Sequence, residues 1–337
     1  MRQLLLASSA LLSLGAVAAP PQAATFNQPP GLPDAASREA IHMAQVIGRN
    51  AGEKVWKGMA TAPFDVLLIE QERETLFCSP TRKDFAPRKW DPITRCWTQT
   101  RPRTQDPDSF GETDVFGNGR PIILVGVPPK DPHDLHFWTA LMVHEHFHQL
   151  QDSKPWMVTE VKLLGPSFGG GTGANSWALT YPFPYKREDV NATFDKMAGA
   201  ALDLLQANTL QERSKAASDY LEQRAALQRL VSPTDWRYFE EQMWTEGIAR
   251  WTQAPVMDAY AQMNRDPDWS KAAQSMHKAR VVSLNAIRKQ GIKMWRRSAI
   301  YEVGPAEAEI AAMRCKDWKN AYWAHHFTMG PLLTGKC

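Results

Sequence analysis

Apolar positions along the chain change their period twice. Over residues 34–60, Ile41, Ala44, Ile47, Ala51 and Val55 fall on one helical face. The period then shortens. FDVLLI (64–69) and TLFCS (75–79) read as strands joined by the charged turn QERE, and CWTQT (96–100) reads as a third. Residues 101–120 are rich in Asp, Pro and Gly and read as a loop, and PIILVGV (121–127) reads as a further strand. From about residue 134 the helical period returns and holds. WTALMVHEHFHQLQ (138–151) is the first helix of this half, and a loop over 164–190 carries GGGTG and YPFPY. Helices follow over 191–207, 210–230, 234–252 and 268–290. Thr209 with Glu212 forms a capping box, and Ser232-Pro233 is a start signal. The last helical stretch, 292–325, is interrupted at Gly304-Pro305. Strands first and helices afterwards predict an α+β fold.

Composition alters this picture at the N-terminus and at the cysteines. Residues 1–18 read as a secretory signal: Arg2, an apolar run, then Ala16-Val17-Ala18 before the expected cleavage. The run is too short for a membrane span, so no stable membrane anchor is expected. The remaining 19–337 reads as one domain, with a helix and sheet part over 19–130 and a helical part over 131–337. A formal charge of +3 argues against nucleic acid and against strongly anionic surfaces as partners. The chain has four cysteines, Cys78, Cys96, Cys315 and Cys337. An even count in an exported chain suggests two disulfides, and the local pairing, Cys78–Cys96 and Cys315–Cys337, is preferred for its short loops. The chain is expected to be periplasmic or secreted.

Candidate chemistry concentrates in VHEHFHQLQ (143–151). On a helix, His144 and His148 share a face one turn apart, and Glu145 lies alongside. This is the H-E-x-x-H arrangement, in which two imidazoles hold a metal and the glutamate accepts a proton from water at the ion. Zn2+ suits neutral imidazole and leaves a position open for solvent in catalytic sites. His146 points away from the 144/148 face and is expected at the surface or behind the ligands. A third protein ligand is required. Glu246, in MWTEGIARW (243–251), is the best candidate, ahead of Asp152 and Glu160.

HEHFH together with TEGIARW resembles the gluzincin metallopeptidases. In that family one helix carries H-E-x-x-H and a second supplies a glutamate ligand, often within E-G-x-A before an aromatic residue. The resemblance implies a zincin-like fold, zinc ligands His144, His148 and Glu246, and Glu145 as general base. Two features depart from the better-known members. The interval before Glu246 is long, and Arg250 stands where thermolysin-like enzymes place an acid that orients a ligand histidine. VHEHFHQLQ and YPFPY also look like segments of poorly characterised exported bacterial proteins with this zinc signature.

A peptidase further needs a group to stabilise an oxyanion. Tyr301, just before the Gly304-Pro305 break, is the first choice, with His325, His326, Tyr181 and Tyr185 as rivals. PIILVGV is either a cleft rim that pairs with extended substrate or a buried central strand. GGGTG lacks the residues of a phosphate loop and reads as a flap. Trp244 and Trp251 flank Glu246 and are read as core packing. The expectation is an exported zinc metallopeptidase acting on peptide or protein substrates. A non-catalytic zinc protein and a zinc hydrolase of a non-peptide amide or ester are the alternatives.

Overall fold

A computed structural model describes residues 31–337 except 114, 115, 117, 118 and 170–175. The expected leader and most of GGGTG lie outside the described residues. The first helix, α1 (Ala35–Val46), is capped by Asp34, whose carboxylate accepts from the Ser37 amide. It continues through a wide π turn (Ile47–Ala51) into α2 (Gly52–Val55). A six-stranded sheet follows: β1 (Val66–Ile69), β2 (Arg73–Phe77), β3 (Lys89–Asp91), β4 (Cys96–Pro102), β5 (Gly111–Thr113) and β6 (Ile122–Gly126). The spatial order is β3-β4-β2-β1-β6-β5; β1 and β6 run parallel and every other pair is antiparallel.

The chain then enters α3 (Pro132–Asp152), and α4 (Met157–Leu164) and α5 (Ser176–Thr180) follow. The larger helices are α6 (Glu188–Gln206), α7 (Leu210–Leu230), α8 (Pro233–Gln242), α9 (Ile248–Asn264) and α10 (Pro267–Gln290). A second π turn, Met243–Gly247, joins α8 to α9. Short helices complete the fold: α11 (Ile292–Trp295), α12 (Ser298–Val303), α13 (Pro305–Arg314), α14 (Trp318–Ala324) and α15 (Gly330–Leu333). Both capping motifs form, with Thr209 and Glu212 on α7 and Ser232 and Asp235 on α8. The α+β expectation therefore holds.

Helix α3 is the shared wall of the molecule. Trp138 and Met142 pack with Ile41, Phe64, Val66 and Ile123 on one face of the sheet. Val143, Phe147 and Leu150 pack into the main helical core. The other sheet face buries Leu67, Leu76 and Ile122 against Phe85. With both faces of β1 covered, VLLI is apolar throughout and does not alternate. The same two-sided burial takes His144, Glu145, His146 and His148 out of solvent.

Several elements differ from the sequence expectation. β6 is flanked by β1 along its length and by β5 at residues 122–124, so the buried-strand reading of PIILVGV holds for those residues and they offer no free edge. β5 was hidden in the polar loop because it spans only three residues. The helix expected to end at 252 continues to Asn264, with Pro255 inside it. Both local disulfides, Cys78–Cys96 and Cys315–Cys337, form. Cross-links of this kind belong to oxidising compartments. Among the described residues, no helix is long and apolar enough to cross a membrane.

Candidate metal centre

His144 and His148 stand one turn apart on α3 and present Nε2 to the same point. Their Nε2 atoms are 3.0 Å apart, and Glu246 Oε2 lies 3.3 Å from the first and 3.2 Å from the second. A tetrahedral ion with bonds of about 2.0–2.1 Å separates its ligand atoms by roughly 3.3 Å. The triangle of two imidazoles and one carboxylate therefore fits a zinc-sized cation in both spacing and donor type. Asp152 and Glu160 are not in this cluster; Glu160 pairs with His326 Nδ1 at 2.9 Å.

The backbone that delivers Glu246 is unusual. It sits in the Met243–Gly247 π turn, and such single wide turns recur at functional sites. Gly247 is pressed against Gly304. A Cβ on Gly304 would lie 2.3 Å from the Gly247 Cα, and one on Gly247 would lie 2.8 Å from the Gly304 Cα. Two facing glycines let α12 approach the π turn, and α12 carries Tyr301. The glycine after Glu246 thus has a packing reason.

Supporting contacts fix each member of the cluster. His148 Nδ1 donates to Gln151 Oε1 at 2.6 Å, which turns Nε2 toward the shared point. Gln151 Nε2 donates to the Tyr322 hydroxyl at 2.7 Å and to the Thr245 carbonyl at 3.3 Å. Tyr322 in turn donates to the Trp244 carbonyl at 2.9 Å. The π turn that carries Glu246 therefore also anchors the group that orients His148. The other Glu246 oxygen accepts from the Arg297 guanidinium, which also donates to the Tyr301 hydroxyl at 2.6 Å. Tyr301 stacks on His144, with ring centroids 5.8 Å apart and planes 19° apart.

Electrostatics follow from burial and this pairing. Burial alone would raise the Glu246 carboxyl, but Arg297 and His148 hold it well below the usual range. Burial lowers His148, yet the Glu246 and Glu145 carboxylates outweigh it and the net shift is upward. His144 shifts downward, chiefly through burial. Burial raises the Tyr301 hydroxyl, with Arg297 opposing and Glu246 and Glu145 reinforcing, so the phenol keeps its proton. Glu145, next to His144 on α3 and buried, adds its negative charge to the field on both His148 and Tyr301. Burial pushes Glu241, in the turn before Glu246, up to about 7 despite hydrogen bonds from Gln242 and Thr245.

Of the sequence candidates, His144, His148 and Glu246 converge, with Glu145 and Tyr301 next to them. The rival groups lie in other contacts: Tyr181 donates to Asp235 at 2.8 Å, and His326 stacks on Trp156 at 3.5 Å between ring centroids. Tyr185 is half-buried within the field of Arg297. His146 is corrected from a surface or supporting position to the core. It is 0 % exposed, its Nε2 donates to the Met59 carbonyl at 2.9 Å, and its ring lies 4.7 Å from that of Phe64. Trp244 is fully buried, as its core reading requires. Arg250 donates to Gln253 at 2.6 Å and to Glu302 at 3.0 Å.

Arg297, Gln151 and Tyr322 were not found from sequence. Gln151 had a local signal, since a residue three after a ligand shares its helical face. Arg297 had none, because its approach to Glu246 depends on the glycine contact. No protein-family model matches the chain, and no curated protein or solved structure matches it either.

Proposed function

We propose that the chain is an exported zinc-dependent hydrolase of gluzincin type that cleaves peptide bonds. One observation carries this reading: His144 Nε2, His148 Nε2 and Glu246 Oε2 lie 3.0–3.3 Å from one another, on the two helices where H-E-x-x-H and E-G-x-A stand. A zinc ion held there supplies Lewis acidity and lowers the pKa of water to about 7. Glu145 takes the proton of the attacking water and returns it to the leaving amine. Tyr301, whose hydroxyl keeps its proton and is fixed by Arg297, donates to the oxyanion that develops on the substrate carbonyl. Arg297 keeps Glu246 ionised and aimed. Export is supported by the two disulfides together with the leader-like residues 1–18.

A second reading has its own observation. His144, Glu145, His148 and Glu246 are each 9 % exposed or less, which suits a zinc centre that only clamps α3 to the π turn. Zinc content and hydrolysis of peptide, amide and ester libraries, with and without chelator, separate the two. For the enzyme, Glu145→Gln retains one zinc and loses turnover by about 10²–10⁴-fold, while Glu246→Ala loses zinc. Glu145→Gln that hydrolyses as fast as wild type rules out the proton-transfer role. A wild type that holds zinc and cleaves nothing supports the clamp.

A further inference from the structure

The sheet ends in a hairpin with an exposed aromatic pair. β3 is an edge strand, and Trp90 on it stands directly opposite Trp97 on β4. The two indoles pack edge to face at 5.7 Å between ring centroids, yet Trp90 remains 52 % exposed and Trp97 45 %. Packing on each other therefore leaves much of each side chain in water, at a cost that grows with apolar area.

Cations accompany this pair. The Arg88 guanidinium lies 5.0 Å from the Trp97 ring centroid. Lys89 adjoins Trp90 on the edge strand, and Arg95 stands at the end of the turn between β3 and β4. Gln99, two residues from Trp97, shares its face of the strand. It accepts from the Arg82 amide at 3.0 Å and donates to the Arg82 and Ala86 carbonyls at 3.1 and 3.3 Å, which holds the segment bearing Lys83 against that face. Lys83, Arg88, Lys89 and Arg95 are exposed, and none has an ion pair among the described residues. The acids of residues 81–103 are already taken: Asp91 by Arg38 at 2.6 Å, and Asp84 by Arg82 and Arg101. The hairpin thus presents apolar surface beside positive charge that its own acids do not neutralise. The net charge of +3 gave no sign of this, because acids elsewhere balance the total.

We propose that the β3–β4 hairpin docks the protein reversibly on a bilayer surface rich in anionic phospholipid. The charges call for an anionic partner, and indoles favour the boundary between headgroups and acyl chains, where ring and N–H are both accommodated. The ring geometry favours a fluid surface over an anionic glycan. Planes that cross at 76° offer no flat platform for successive sugar rings, whereas a lipid interface fits around both. One hairpin of this kind gives peripheral attachment, distinct from a membrane span. The inference rests on these residues alone and does not depend on the metal reading.

Flotation of the exported protein with lipid vesicles tests it. Vesicles of phosphatidylglycerol and phosphatidylcholine in equal parts should carry the protein up a density gradient, and vesicles of phosphatidylcholine alone should not. Binding should fall as salt rises, because the surface potential is screened. Arg88→Gln and Lys89→Gln should each weaken binding about fivefold, the loss expected for one cation near an anionic leaflet. Trp90→Ala should weaken it at least about tenfold. If Trp90→Ala does not fold, the two charge variants carry the same test, since their side chains are exposed. No flotation, equal flotation with phosphatidylcholine alone, variants that float like wild type, or retention on immobilised polygalacturonate without flotation overturns the proposal.

Discussion

His148 and His144 are held by different means, and the difference predicts different sensitivities. His148 is oriented by a hydrogen bond from Nδ1 to Gln151, itself tied to Tyr322 and the Thr245 carbonyl. His144 has a buried Nδ1 with no hydrogen-bond partner among the described residues, and it is oriented by stacking on Tyr301. Gln151→Leu should therefore weaken zinc about 10–100-fold, the usual cost of removing a group that orients a ligand. Competition with a chromophoric chelator reads this directly, and unchanged affinity would remove Gln151 from the site. Tyr301→Phe keeps the ring on His144 and deletes only the hydroxyl. Zinc affinity should hold while turnover falls by about 10²–10³-fold, the range seen when one oxyanion donor is lost. Parallel zinc titration and peptide-hydrolysis assays check the pair of outcomes.

At the scale of elements, the site is made by the contact between the Met243–Gly247 turn and α12. The Gly247–Gly304 approach leaves no room for a methyl group on either side. Gly304→Ala must push α12 away, taking Tyr301 from His144 and disturbing the Arg297 contact with Glu246. Overpacking of this kind costs about 1–3 kcal/mol. A urea melt should show that loss, together with weaker zinc binding. Full retention of both would mean that the helices slide without consequence for the site. The extended half of the fold is tied to the same region through α3, whose Gln149 Nε2 donates to the Asp65 carbonyl at 3.0 Å.

At the scale of the whole molecule, burying a histidine between sheet and helices makes stability depend on pH. His146 is fully buried, and burial lowers its pKa from the ordinary 6.5 to about 4. The unfolded chain binds this proton near pH 6.5 and the folded chain does not. The contribution is thus complete above about pH 6.5 and is lost as pH falls toward 4, up to about 3 kcal/mol. Urea melts of wild type and His146→Gln, both with chelator to remove metal linkage, test this. The variant should start less stable at pH 7.5 and lose less between pH 6.5 and 4. Parallel pH profiles would show that His146 does not carry the effect.

Short-range pattern in the sequence determined the α+β order, the capping boxes at Thr209 and Ser232, and the pairing of His144 with His148 one turn apart. Such features depend on residues a few positions from each other, where helical and strand periods act directly. The local disulfides belong to the same class. Tertiary structure decided the rest. His146 became core because α3 is covered on both sides, which a single helix cannot reveal. Residues 122–124 of β6 lost their free edge to a three-residue strand too short to carry a period. Arg297 reached Glu246 because two glycines distant in sequence removed the atoms that would have kept their helices apart.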